Sequence, residues 1–457
     1  VRRWSIPVVG FAVFTVAIGQ GGQRGQQRGG PPAVFRTEVP ESSINVIAGA
    51  PTETSVHLSI LCPSNLRVRV VVRTKAGDID SKLDRSPLQL VANTPYDLIL
   101  SDLRPSSIYD YELRDAITDS KLLGGRFATA KKTGQPFVFD IQADSHLDGN
   151  TDPKVYQNTL QNIVADQPDF LVDLGDTFMV DKYPNYLDSR KQYQAQRFWL
   201  SIPGSMSSIF LCLGNHDGEY GWRSRGGEEI TPWSRSQRQF YFPTIQPNGF
   251  YSGAPKVGLY YSWQWGDALC VVLDPFVATR YKPRSAEEGW NWTLGETQFK
   301  WLEQTLRASS AKYKFLFIHH LVGGFGKEAR GGVEASDKFE WGDPGEFPAQ
   351  RTGWAEPIHS LMVKYKVSAL FHGHDHLYVR QSRDGIAYLE VPQPSQARGD
   401  NTRSAEEYGY KTGKLLGSSG HIRVTVSPAE AKLEYVKSRL YAANREVVDS
   451  FSIAPSK

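Results

Sequence analysis

Five apolar runs in the later two-thirds of the chain end alike: "FVFDIQADSH", "FLVDLGD", "IFLCLGNHD", "KFLFIHH" and "ALFHGHDH". Each opens with the aliphatic and aromatic residues of a buried strand and closes on Asp, Asn or His, which disfavour one. Helical stretches separate the runs. Asp152 and Pro153 supply a cap and a first-turn proline, and Tyr156, Leu160, Ile163 and Val164 then recur at one-face spacing. Residues 295–308 repeat the stripe with Phe299, Leu302 and Leu306, and residues 356–366 with Ile358, Leu361, Met362 and Tyr365. Strand–helix alternation of this kind predicts an α/β domain over residues 134–457. In open sheets of that class, ligand sites lie at the carboxyl ends of the strands.

The five endings are Asp144-x-His146, Gly175-Asp176, Gly214-Asn215-His216-Asp217, His319-His320 and His372-x-His374-x-His376. Taken singly, Asp144 and His146 resemble many surface pairs, and Gly175-Asp176 reads as a turn. Asn215-His216-Asp217 fits a turn and a site equally well. His374-x-His376 says more, because two imidazoles on one side of a short loop readily share a metal. Seven of the ten histidines fall in these five places. Together they read as a metal centre. Imidazole, carboxylate and amide donors without sulfur suit Mn, Fe or Zn rather than Cu(I) or an iron–sulfur cluster.

The remainder of the chain has another rhythm. Over residues 34–133, Val56, Leu58, Ile60 and Cys62 alternate on one face and Leu66, Val68, Val70 and Val72 on another, with turn residues between. That pattern predicts an all-β sandwich. Residues 1–19, "VRRWSIPVVGFAVFTVAIG", combine two arginines, a short apolar stretch and small residues, the layout of a signal peptide too short to span a bilayer. A periplasmic or secreted protein with no stable membrane anchor is therefore expected. Residues 20–33 form a Gly/Gln-rich linker. A net charge of +3 gives no support to a nucleic-acid scaffold as partner. Cys62, Cys212 and Cys270 lie in apolar runs at wide spacing and make no disulfide framework.

The order D-x-H, G-D, G-N-H-D, H, G-H-x-H across residues 144–376 resembles that of the calcineurin-like metallophosphoesterases. The resemblance implies two mixed sheets flanked by helices and a pair of divalent or trivalent metal ions. Asp144, His146 and His376 would hold one ion, Asn215, His319 and His374 the other, and Asp176 would bridge them. His319 is preferred to His320 because the family's ligand directly follows its strand. His372 is then a buried strand-end residue. The implied reaction is hydrolysis of a small-molecule phosphate ester by in-line attack of a metal-bound hydroxide. The two ions would sit about 3.5–4 Å apart. His216 would act as general acid, with Asp217 orienting its ring.

"LSDLRPSSIYDYELRD" resembles the corner segment of fibronectin type III-like domains, with Pro105, Tyr109 and Tyr111 in place. A sandwich followed by a phosphoesterase domain is similar to the purple acid phosphatases. Met179, however, stands where that family has a tyrosine ligand, and His146 where it has no histidine. An uncoloured relative is expected. Residues 320–355, rich in glycine and charge, are expected to loop over the site, with Arg330 or Arg351 either gripping phosphate or forming a surface salt bridge. Two other readings stand: a surface-binding protein with a vestigial hydrolase domain, and a dinuclear hydrolase of a non-phosphorus ester. Mono-, di- and triesters are all open as substrates.

Overall fold

The computed structural model describes residues 36–39, 44–74, 83, 85–220, 224–225, 228–255, 258–396, 398–441 and 443–456. The signal peptide and linker expected over residues 1–33 lie outside them. The alternating segment forms β1 (Asn45–Gly49), β2 (Val56–Leu61), β3 (Leu66–Thr74), β4 (Arg85–Leu90), β5 (Tyr96–Leu100), β6 (Ile108–Asp115) and β7 (Lys121–Ala128). β1-β2-β5 face β4-β3-β6-β7. Val56, Leu58 and Ile60 meet Val68, Val70 and Val72 between them, all buried, as period-two alternation requires. The Tyr109 hydroxyl accepts from the Arg104 amide at 2.8 Å, closing the corner ahead of β6.

The strand–helix rhythm then appears as β8 (Phe137–Gln142), α1 (Pro153–Asp166), β9 (Phe170–Asp173), α2 (Tyr186–Gly204) and β10 (Ser208–Leu211). Asp152 caps α1, its Oδ1 accepting from the amides of Lys154 and Val155. A short hairpin of β11 (Ser224–Arg225) and β12 (Glu228–Glu229) precedes α3 (Thr231–Tyr241). Next come β13 (Ser252–Gly253), β14 (Tyr261–Trp265), β15 (Ala268–Val272), α4 (Glu296–Ala308) and β16 (Tyr313–Phe317). Short helices α5 (Phe339–Gly342) and α6 (Phe347–Gln350) lead to α7 (Ile358–Lys364) and β17 (Ala369–His372). The chain ends with β18 (Leu377–Arg383), β19 (Ile386–Glu390), α8 (Ser404–Glu407), β20 (Lys414–Gly417), β21 (Gly420–Val426), β22 (Ala431–Lys437) and β23 (Glu446–Ile453).

Among the described residues these strands build two mixed sheets, ordered β23-β22-β21-β8-β9-β10-β1-β2-β5 and β13-β14-β15-β16-β17-β19-β18-β20. β8, β9 and β10 run parallel, as do β15, β16 and β17, so their carboxyl ends gather at one edge of each sheet. The inner faces meet in an aromatic core of Phe139, Phe170, Phe210, Trp263, Phe315, Phe317 and Phe371. Phe210 and Trp263 stack across it with centroids 4.0 Å apart. Tyr156, Leu160 and Ile163 of α1 pack on the outside of the first sheet. Phe299, Leu302 and Leu306 of α4 and Ile358, Leu361 and Met362 of α7 cover the second. The molecule is thus a β-sandwich followed by an α/β domain of two mixed sheets flanked by helices.

The two regions share a sheet. β1 continues the α/β ladder by pairing parallel to β10, Gly49 opposite Ile209. Arg197 of α2, fully buried, reaches across to the sandwich strands. It donates to Asn45 Oδ1 at 2.7 Å, Ser59 O at 2.8 Å and Ser59 Oγ at 3.2 Å, and also to the Tyr241 carbonyl. The Tyr111 hydroxyl donates to Ser205 O at 3.1 Å, just beyond α2. Among the described residues, no helix is long and apolar enough to cross a membrane.

Candidate metal centre

Past their last paired residues, β8, β9, β10, β16 and β17 deliver Asp144 and His146, Asp176, Asn215, His319, and His374 and His376 to the shared edge. Two groups converge there: Asp144, His146 and His376, and Asp176, His319 and His374. In the first, Asp144 Oδ1 lies 3.7 Å from His146 Nε2 and 3.5 Å from His376 Nε2. In the second, His319 Nε2 lies 3.3 Å from Asp176 Oδ2 and 3.0 Å from Asn215 Oδ1. Asp176 Oδ2 also lies 3.7 Å from His146 Nε2 of the first group. One carboxylate oxygen therefore faces both.

Each central carboxylate is divided between two tasks. The His374 amide donates to Asp144 Oδ2 at 2.7 Å, leaving Oδ1 pointing inward. The His216 amide donates to Asp176 Oδ1 at 2.7 Å, leaving Oδ2 free for the centre. The histidines are aimed from behind in the same way. His319 Nδ1 donates to Leu174 O at 3.0 Å, so Nε2 presents its lone pair to two acceptor oxygens. The Asp148 carboxylate, 3.4 Å from His146 Nδ1, does this for His146. Acceptors turned on acceptors need a proton or a cation between them. Asp144 Oδ1 and His146 Nε2 are buried without a hydrogen-bond partner. A pair of cations fits this donor set.

The charges agree. Burial opposes ionisation of Asp176, but His319, His216 and His146 together hold its carboxyl well below the usual range. Burial likewise opposes a charged His319, yet the neighbouring Asp176 carboxylate raises its pKa to about 9. Burial also opposes a charged His146, which the Asp144, Asp148 and Asp176 carboxylates outweigh, whereas burial and the nearby Arg330 hold the His374 pKa well down.

The backbone around the site is strained and heavily braced. Asp144, His146, Asp176, His374 and His376 all have φ between 50° and 81°, in the left-handed region that costs a non-glycine residue of order 1–3 kcal/mol. Asp217 accepts from the amides of Gly214 at 2.8 Å, Asp176 at 3.0 Å, Thr177 at 2.9 Å and Phe178 at 2.7 Å, binding the β9 and β10 loops into one unit. From α2, Gln192 donates to His146 O and Thr177 O, and Gln196 to Ser145 Oγ and Thr177 O. Gln393 donates to Asp144 O. The loops touch closely enough that a Cβ at Gly214 would fall 2.1 Å from the Asp176 amide nitrogen.

His216 stands at the mouth, its side chain about a fifth exposed and its Nε2 4.0 Å from Asp176 Oδ2. Its Nδ1 meets the Asp181 carboxylate at 2.9 and 3.0 Å. The orienting role expected of Asp217 therefore needs correction: that carboxylate is used up on backbone amides, and Asp181 faces the ring. The sequence reading passed over Asp181, whose one signal is an acid closing the apolar run after Gly175-Asp176. Asp148, Gln192, Gln196 and Gln393 carry no motif and were missed as well.

The other expectations also find their places. His320 is in neither group; it packs between Phe276, Trp292 and the His374 ring, and burial pushes its pKa down to about 3. His372 Nδ1 lies 2.7 Å from Glu390 Oε2, outside both groups. Arg351 pairs with Glu340 at 3.0 Å and stacks on Trp290 and Trp354. Arg330 pairs with Asp375 at 2.6 Å. Residues 320–355 are more than a loop, since they contain α5 and α6 and bury Trp341 and Phe347. Met179 is buried. A third group, Asp140, Asp166 and His421, sits further back along β8. There His421 Nε2 and Asp166 Oδ2 are at hydrogen-bond distance, 2.8 Å, and Arg423 and Arg445 already neutralise Asp166.

Residues 137–378 match the family model of the calcineurin-like phosphoesterases. Two Arabidopsis thaliana proteins named probable inactive purple acid phosphatases 27 and 24 are each 24% identical over 62% of this chain. The matched region covers 43% and 42% of those relatives, so the chain spans less than half their length. Among solved structures, PhoD superposes with a TM-score of 0.63 at 15% identity, covering 92% of each chain. Purple acid phosphatase PPD1 from yellow lupin (Lupinus luteus) seeds superposes at 0.60 and 16% identity, over 90% of this chain and 74% of its own. At such identities these likenesses speak for the fold alone. The family match covers more than half of the chain, from β8 through the turn that carries His374 and His376, and the chain belongs to the calcineurin-like phosphoesterases.

Proposed function

We propose that the protein is a metal-dependent hydrolase of phosphate esters holding two cations. Asp144, His146 and His376 would ligate one, Asn215, His319 and His374 the other, and Asp176 both. The observation that carries this reading is Asp176 Oδ2, within 3.7 Å of His146 Nε2 and 3.3 Å of His319 Nε2. Bound there, two cations supply an activated nucleophile near neutral pH and charge for the phosphoryl oxygens. His216 then protonates the leaving oxygen from the open side of the site. The Asp181 carboxylate, at 2.9 and 3.0 Å from Nδ1, fixes the ring so that Nε2 turns to the site. His376, its side chain a third exposed, borders the same opening. The leader-like residues 1–19 support a periplasmic or secreted location.

The experiment is metal analysis of the purified chain, followed by rates on nitrophenyl mono-, di- and triesters after reconstitution with Mn, Fe or Zn. Two ions per chain with turnover of one ester class is the expected result. The "inactive" in the names of the Arabidopsis relatives favours a second reading, a vestigial hydrolase. Two bound ions with no turnover of any ester would select it.

A further inference from the structure

Asp375 stands between His374 and His376, one ligand of each metal group. Its buried carboxylate is held from two segments remote in sequence. Arg330 Nη1 donates to Oδ1 at 2.6 Å, the Gly331 amide to Oδ2 at 3.0 Å, and the Tyr410 hydroxyl to Oδ2 at 2.9 Å. The same Arg330 nitrogen reaches His374 O at 3.2 Å, and the guanidinium lies 4.2 Å from the centroid of the Tyr408 ring. The Asp375 amide donates to Glu390 Oε1 at 2.9 Å. Side chain and backbone of this residue are thus fixed from three directions. On either side of it His374 and His376 keep left-handed conformations, φ 81° and 59°. On its outer side Arg330 lines a cavity of about 570 Å³ with Tyr408, Glu334 and Lys411. A shorter side chain at position 330 therefore opens no void in the core.

We propose that Arg330 is a positioning residue for the metal pair: through Asp375 it fixes the turn that presents one histidine to each ion. The role rests on the two-cation reading above. It gives the folded excursion of residues 320–355 a task other than covering the site, namely retention of both ions. Without Arg330 the Asp375 carboxylate loses its counterion. The turn can then relax, taking both imidazoles out of register.

The test is titration of the metal-free full chain with Mn2+ by calorimetry. Removing an outer partner of a metal ligand typically costs 10–100-fold in affinity, and Arg330→Gln is expected to weaken both ions in that range. Arg330→Lys, which keeps the charge, should recover part of the loss, and Tyr410→Phe should give a smaller one. Arg351→Gln is the control on the same excursion. It breaks a comparable ion pair and stack, and should lower the melting temperature while leaving Mn2+ affinity unchanged. Wild-type affinity in Arg330→Gln, or an equal loss in Arg351→Gln, overturns the positioning role. A wild-type chain that takes up no second ion overturns the two-cation reading, and this role with it.

Discussion

At the scale of single residues, the site is governed by acceptors facing acceptors. His319 holds a proton up to about pH 9 in the metal-free site, held there by Asp176. A cation must displace that proton, so uptake releases protons below about pH 9 and apparent affinity rises with pH towards that value. Calorimetry in buffers of different ionisation enthalpy would show this; pH-independent uptake between 6 and 8 would contradict it. His216→Ala should keep both ions yet lose turnover by about 10²–10⁴, most for esters of poorly acidic alcohols. Asp181→Asn should lose less and in the same direction, read as kcat across a leaving-group series. The convergence of these residues was legible because Asp, Asn and His at five strand ends have no structural reason to be there. The partner of His216 was not. His216 and Asp217 sit in a turn that spends the Asp217 carboxylate on four amides, and the acid that reaches the ring comes from another loop.

At the scale of elements, the loops depend on groups no motif contains. Asp217 joins two loops through four buried amides. Asp217→Ala would strand those donors at about 1–3 kcal/mol each, so a loss of roughly 4 kcal/mol or more is expected in urea unfolding of the metal-free chain. Asp217→Asn keeps an acceptor and should lose less. An Asp217→Ala chain as stable as wild type, with only its turnover changed, would restore the orienting role. Helices α1, α4 and α7 could be read because each carries a one-sided apolar stripe. The helices within residues 320–355 could not, since α5 and α6 are single turns whose buried Trp341 and Phe347 stand alone among glycines and charges.

At the scale of the whole molecule, the sandwich and the α/β domain are one construction. The pattern announced two regions because it is local. The pairing of β1 with β10 joins residues some 160 positions apart, and no periodicity encodes a partner at that distance. Arg197 seals the junction with neutral acceptors only, and burial lowers its pKa to about 9. Arg197→Ala would leave these acceptors unpaired, and should lower the melting temperature and split a single calorimetric transition into two. A fragment beginning at residue 134 should aggregate, because β10 then becomes an unpaired edge. A soluble, metal-binding fragment would show that the junction is dispensable. The central claim, that one carboxylate serves two cations, is tested most directly by electron paramagnetic resonance of the Mn2+-loaded chain. Two exchange-coupled ions per chain, with both coupling and stoichiometry lost in Asp176→Ala, is the predicted result. Two uncoupled ions, or an unchanged spectrum in Asp176→Ala, would contradict it.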